Sequence, residues 1–67
     1  MLQLTVNGEN RSMPASATVA DLVTELKLDG RKIAVERNLE IVPRSLYAET
    51  ALENGDRIEI VAFVGGG

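Results

Sequence analysis

The sequence contains no cysteine, no histidine and only two aromatic residues. The lack of cysteine excludes a disulfide framework, a thiolate nucleophile and cysteine-ligated zinc or iron–sulfur sites. The lack of histidine removes the commonest general base and the commonest metal ligand. The ten carboxylates have neither calcium-loop nor paired-acid spacing. These absences argue against a self-contained enzyme and against a metal site, and we expect no bound cofactor.

Three further absences limit the partners and the cellular compartment that we expect. A net charge of −3 with two aromatic residues offers neither the basic stripe nor the stacking surface that nucleic-acid binding uses. No apolar run approaches the roughly 18 residues of a membrane span. The first residues also lack the basic segment and apolar run of a secretory signal. We therefore expect a cytoplasmic protein that binds neither nucleic acid nor membrane.

The first part of the chain predicts a hairpin. Leucine and valine alternate with polar residues over Leu2–Val6, which is the pattern of a half-buried strand. Asn7-Gly8 follows, a strong signal for a two-residue turn in which both residues need a positive φ. A second strand is expected over Glu9–Met13, ended by Pro14.

A helix is predicted to begin after Thr18. Thr18 and Asp21 have the spacing of a capping box, in which each side chain satisfies a free backbone N–H group of the first turn. Lys27 is expected in the last turn and Gly30 as the left-handed residue that ends the helix. One apolar face is formed by residues at i, i+3, i+4 and i+7: Val19, Leu22, Val23 and Leu26.

Three more strands are predicted in the second half of the chain, at residues 33–36, 40–42 and 57–63. The first two are joined by a turn at Arg37-Asn38, and Pro43 ends the second. Glu36 and Arg37 are interpreted as a solvated charge pair beside this turn. Residues 44–47 are expected to form one helical turn, and residues 53–56 another turn.

The order of elements is therefore β-β-α-β-β-β. A single helix with one apolar stripe must cover one face of a sheet. The predicted fold class is α+β, a β-grasp or ubiquitin-like domain with a mixed sheet of four to five strands and one helix on one face. The predicted domain spans residues 1–64, and residues 65–67 are predicted to be a flexible glycine tail.

The exposed end of the last strand is a candidate partner surface. Val61 and Phe63 have the opposite parity to Ile58 and Ile60. If the two isoleucines face the helix, Val61 and Phe63 lie on the open face of the sheet, where grouped apolar side chains favour docking of a partner. The alternative is that Phe63 folds back over the sheet edge or that a bulge changes the parity.

Glycine fills the last three positions, and the Gly67 carboxylate is the charge at their end. Residues without a Cβ can pass through a narrow channel and approach another backbone closely. With a reference pKa of roughly 3.3–3.7, this carboxylate is ionised at neutral pH. Because an ionised carboxylate is a poor electrophile, acyl chemistry at Gly67 requires prior activation.

Four segments together resemble a known family. They are residues 6–9, 18–22, 35–38 and 54–67, the last ending in Phe63-Val64-Gly65-Gly66-Gly67. They resemble the sulfur carriers of thiazole formation in thiamine biosynthesis, the ThiS family, which is ubiquitin-like. The sequence departs from this family at Ala62, where a histidine is often found; that residue is not needed for the chemistry of the tail.

This resemblance implies a mechanism in which the chain is a cosubstrate and not an enzyme. A ubiquitin-activating-like adenylyltransferase uses ATP to convert the Gly67 carboxylate into an acyl adenylate. A persulfide sulfur, from a cysteine desulfurase or another persulfide donor, displaces AMP and leaves a thiocarboxylate on Gly67, which donates sulfur to thiazole synthase. Val64, Gly65 and Gly66 form the tail that presents this group.

Three alternatives remain open on the sequence. The small subunit of molybdopterin synthase also carries a thiocarboxylate, although such chains are usually longer and end differently before the glycines. A ubiquitin-like protein modifier would form an isopeptide bond through the same activated glycine. In a plain interaction module, the glycine tail would be incidental.

Overall fold

Five strands and one α-helix form the domain in a computed structural model that describes residues 1–63. They are, in chain order, β1 (Leu2–Val6), β2 (Glu9–Met13), α1 (Val19–Glu25), β3 (Ile33–Arg37), β4 (Glu40–Val42) and β5 (Arg57–Ala62). Single 3₁₀ turns at Gly30–Lys32 and Arg44–Leu46 lie in the connections. The predictions made for Val64, Gly65, Gly66 and Gly67, and the domain boundary at residue 64, lie outside the described residues.

The strands form one mixed sheet in the order β2-β1-β5-β3-β4. β1 and β5 are parallel, and the other neighbours are antiparallel. Residues of alternate parity on the strands pack with α1 into one core, whose most buried large side chains are Leu4, Val19, Leu22, Val35 and Ile58. This arrangement confirms the predicted α+β class and β-grasp topology, with one helix covering one face.

The start of α1 is formed as predicted. The Asp21 N–H donates to the Thr18 hydroxyl (3.2 Å), and the Thr18 N–H donates to the Asp21 carboxylate (2.9 Å). Both halves of the capping box are therefore present. Two of the free N–H groups at the helix start are thereby satisfied by short side chains.

The end of α1 differs from the prediction. The helix ends at Glu25, so Lys27 lies beyond its last turn, and the left-handed residue is Lys27 itself, with φ +59°. The Leu28 N–H donates to the Val23 carbonyl (3.1 Å), which completes a Schellman motif. Gly30 lies in the following 3₁₀ turn. The prediction was wrong because lysine can occupy this position at a cost of roughly 1–2 kcal/mol, so glycine does not mark it uniquely.

Both hairpins have two-residue turns with positive φ. Asn7 (+50°) and Gly8 (+83°) join β1 to β2, as predicted. Asn38 (+51°) and Leu39 (+71°) join β3 to β4. The second turn is therefore one residue later than expected, because Arg37 remains in β3 and pairs with Glu40.

Candidate functional site

The end of β5 nearest the glycines presents two large apolar side chains to solvent. Ile58 is fully buried and Ile60 half-buried on the helix side, whereas Val61 and Phe63 are 62% and 59% exposed. β5 keeps an unbroken register with β3 from Ile58 to Ala62. The Phe63 N–H then donates to the Lys32 carbonyl (2.8 Å). The open-face position predicted from parity is thus confirmed, without a bulge and with Phe63 largely exposed.

Two neighbouring strands extend this apolar surface. Ala34 pairs with Val61 across the β3–β5 ladder, and Ile41 on β4 is 63% exposed. We call Ala34, Ile41, Val61 and Phe63 the open-face patch. Large apolar side chains grouped on a small domain are typical of an interaction surface. That a partner binds there remains a prediction.

A band of charge borders the open-face patch. Glu36 lies directly opposite Glu59 in the β3–β5 ladder, a position where like charges repel. The Arg57 guanidinium, with Nε 3.5 Å from Glu59 Oε1, offsets part of this repulsion. The site thus combines an apolar centre with a polar border, as in the anatomy of transient interfaces.

The other end of β5 is fixed by a buried carboxylate. Asp56 is 5% exposed and accepts hydrogen bonds from Arg37 Nε (2.7 Å), Asn38 Nδ2 (3.0 Å) and the Glu53 N–H (2.8 Å). Burial alone would raise the pKa of Asp56, but the hydrogen bonds from Arg37, Asn38 and Glu53 outweigh it and the pKa is lowered. The carboxylate therefore ties the β3–β4 turn to the start of β5.

This cluster corrects one prediction and shows what sequence reasoning missed. Arg37 is not a solvated charge but the partner of Asp56, while Asn38 does make the turn. A second missed contact joins the Asn7 carboxamide to Ile60, 53 positions along the chain. A single sequence contains no signal for the contact of Arg37 with Asp56 or of Asn7 with Ile60. At Asn7 and Asn38, the positive φ of the turn is already enough to explain the choice of asparagine.

Residues 1–63 contain neither a metal-binding cluster nor a membrane-spanning helix. No group of three or more acidic, histidine or cysteine residues there is placed to hold a metal ion. The helical segments in that range are all too short or too polar to cross a membrane.

Comparisons with known proteins agree with this geometry. The ThiS family matches residues 4–67. The sulfur carrier protein ThiS of Bacillus subtilis is 43% identical over 68 residues, and the match covers 100% of both chains. A crystal structure of the thiamine biosynthesis protein ThiS from Geobacter metallireducens superimposes with a TM-score of 0.83 at 33% identity, over 98% of this chain and 100% of that one.

Two longer proteins also match. A thiazole synthase of Paramagnetospirillum magneticum is 59% identical over 66 residues, and one of Magnetococcus marinus is 38% identical over 66 residues. The chain spans about 20% of the length of each, although 98% of the chain is aligned. The family match over nearly the whole chain and the end-to-end likeness to a relative at 43% identity lead to one conclusion: the chain belongs to the ThiS family.

Proposed function

We propose that this protein is a sulfur carrier for thiazole formation in thiamine biosynthesis and that its reactive group is the Gly67 carboxylate. One observation carries the proposal most directly, the end-to-end match with the sulfur carrier of Bacillus subtilis at 43% identity. The family match also extends through Gly67. The β-grasp domain then serves as the part that a partner enzyme recognises.

In the proposed chemistry, a partner enzyme activates the Gly67 carboxylate. A carboxylate oxygen attacks the α-phosphorus of ATP in a ubiquitin-activating-like adenylyltransferase, and pyrophosphate leaves. The terminal persulfide sulfur of a cysteine desulfurase or another persulfide donor then attacks the acyl carbon, and AMP leaves, which gives an acyl disulfide. A thiol such as free cysteine attacks the donor's sulfur in that disulfide, so the S–S bond breaks, the thiocarboxylate leaves, and the donor and the thiol are joined as a disulfide. The partner supplies the charge stabilisation that these transfers need.

The acceptor of the sulfur is proposed to be a thiazole synthase. Two proteins of that name contain a segment of 66 residues similar to this chain, at 59% and 38% identity. A segment of this kind within a thiazole synthase supports close functional association between the carrier and that enzyme class. Cytoplasmic location is proposed with it, because the partners use ATP and cysteine-derived sulfur.

Intact mass spectrometry tests the proposal. After incubation with ATP, the adenylyltransferase, cysteine desulfurase and cysteine, we expect a mass gain equal to oxygen replaced by sulfur, located at Gly67. Addition of one alanine after Gly67 should abolish this gain without changing the melting temperature, because it moves the carboxylate and leaves the core intact. An adenylate without a thiocarboxylate would favour a protein modifier. Delivery of the sulfur to molybdopterin synthase instead of thiazole synthase would favour the molybdopterin pathway.

Charged substitutions in the open-face patch are expected to weaken activation. Val61→Asp and Phe63→Asp should each raise the KM of the adenylyltransferase for the carrier by about tenfold or more, as loss of a central interface residue does. The melting temperature should change little, since both side chains are more than half exposed. Leu39→Asp is the matched control, because Leu39 is 83% exposed but lies in the β3–β4 turn. An equal effect of all three variants would contradict docking at this patch.

A further inference from the structure

β5 extends past the end of its neighbour β1. The two strands pair in parallel at Thr5 with Arg57 and at Val6 with Ile58, after which β1 ends at the Asn7-Gly8 turn. β5 continues to Ala62. From Asp56 onward, even-numbered residues direct their backbone groups to the β1 side: the Thr5 N–H donates to the Asp56 carbonyl (3.0 Å) and the Asn7 N–H to the Ile58 carbonyl (2.9 Å). The next residue in this series is Ile60, which among residues 1–63 has no strand residue beside it on the β1 side.

The side chain of Asn7 takes the place of the missing strand residue. The Ile60 N–H donates to Asn7 Oδ1 (2.7 Å), and Asn7 Nδ2 donates to the Ile60 carbonyl (3.1 Å). A carboxamide offers one donor and one acceptor, as a backbone peptide of a neighbouring strand does. Together with its own N–H, Asn7 therefore makes three hydrogen bonds to β5.

The last residues of the described chain depend on this contact. Val61 and Phe63 bond through their backbones to the β3 side, where Val61 pairs with Ala34 and the Phe63 N–H donates to Lys32. On the β1 side, Asn7 makes the last hydrogen bonds recorded for β5 among residues 1–63. Without the carboxamide, the strand would be held from one side only beyond Ile58. A segment with fewer backbone bonds opens locally more often.

We propose that Asn7 is a positioning residue, whose carboxamide holds the end of β5 in the sheet and so fixes Val61 and Phe63 of the open-face patch. The role in sulfur transfer rests on the proposed function. Val61 and Phe63 belong to the patch proposed to dock the adenylyltransferase, and reactions between positioned groups are sensitive to displacements of about 1 Å. The turn itself requires only a positive φ, which glycine also satisfies, so the turn does not account for the carboxamide contacts.

Two variants separate the carboxamide from the turn. Asn7→Gly retains a residue that accepts the positive φ and removes the side chain. Asn7→Asp retains the acceptor for the Ile60 N–H but places a carboxylate oxygen against the Ile60 carbonyl, so it keeps only half of the contact. Asn10→Asp is the control, because Asn10 is exposed on β2 and the substitution makes the same change in charge.

Amide hydrogen exchange of the isolated protein, followed residue by residue by NMR, tests the contact without any partner. In Asn7→Gly we expect protection of the Ile60 amide to fall by about tenfold or more, that of Val61 and Phe63 to fall less, and that of Val35 and Leu22 to change least. Asn7→Asp should lie between Asn7→Gly and the native protein, and Asn10→Asp should match the native protein. Unchanged exchange at Ile60, or an equal loss at every core amide, would overturn the proposal.

The positioning role is measured with the adenylyltransferase and ATP, by the rate of pyrophosphate release. We expect Asn7→Gly to raise the KM for the carrier several-fold with kcat nearly unchanged, since the reactive residue is intact and only the positions of Val61 and Phe63 are less firmly held. Unchanged KM together with faster exchange at Ile60 would overturn the role in positioning. A native protein that releases no pyrophosphate would instead contradict the proposed function, and the exchange data would still decide whether Asn7 holds β5.

Discussion

Leu22→Ala is expected to destabilise the domain by about 2–5 kcal/mol, which is the cost of a cavity left by a fully buried leucine. Leu22 is 0% exposed and lies on α1 in the centre of the core. A domain of 67 residues has a total free energy of unfolding of roughly 3–10 kcal/mol. The substitution therefore removes much of the stability, and a large unfolded fraction is expected at 37 °C. Urea denaturation followed by circular dichroism measures the effect.

Ile60→Ala should cost clearly less than Leu22→Ala, because Ile60 is only half-buried. α1 ends at Glu25, and a groove lined by Leu26, Leu28 and Ile60 remains open beyond it. Val61→Ala is the exposed control and should stay within about 0.5 kcal/mol of the native protein. The expected order of destabilisation, from largest to smallest, is Leu22→Ala, Ile60→Ala and Val61→Ala. Equal costs at all three positions would contradict a core centred on Leu22.

Local sequence patterns predicted the order of the elements in this fold correctly. The alternation in Leu2–Val6, the turn at Asn7-Gly8 and the capping box of Thr18 each agree with the structure. The parity of β5 also placed Val61 and Phe63 on the open face. Such predictions succeed because they depend on neighbours in sequence, whose geometry is fixed by the period of a strand or a helix.

The features that were missed or wrongly predicted involve either a partner that is distant in the sequence or a backbone position that several residue types can occupy. Arg37 was expected in solvent, but its partner Asp56 lies 19 positions away. The contact of Asn7 with Ile60 depends on β1 ending before β5 does, which is a property of the sheet and not of either strand. Lys27, and not Gly30 as expected, is the left-handed residue that follows α1. Chemistry at Gly67 is suggested by family likeness and not by geometry within residues 1–63.

Asp56→Asn is expected to destabilise the protein at neutral pH by about 2–4 kcal/mol. The two oxygens of Asp56 accept three hydrogen bonds, from Arg37, Asn38 and the Glu53 N–H. Asparagine has one oxygen, and its NH₂ group would face a donor wherever the second oxygen was. The Arg37 side chain is only 26% exposed and would lose its closest counter-charge. Urea denaturation at pH 7 measures the loss.

The pH dependence of the stability difference between the native protein and Asp56→Asn identifies the cause of that difference. Because the folded state lowers the pKa of Asp56, the carboxylate contributes its full stabilisation above its unfolded pKa of about 3.9 and loses it as the pH falls through the lower folded value. The difference between native protein and Asp56→Asn should therefore stay constant from about pH 7 to 5 and shrink below about pH 4. Asp29 is the control: Arg31 lowers its pKa to about 2, yet the pair is exposed. Solvent and salt screen such a pair, so Asp29→Asn should change stability far less. An equal cost for both variants, or a difference that persists unchanged at pH 3, would show that the buried carboxylate is not what holds the start of β5.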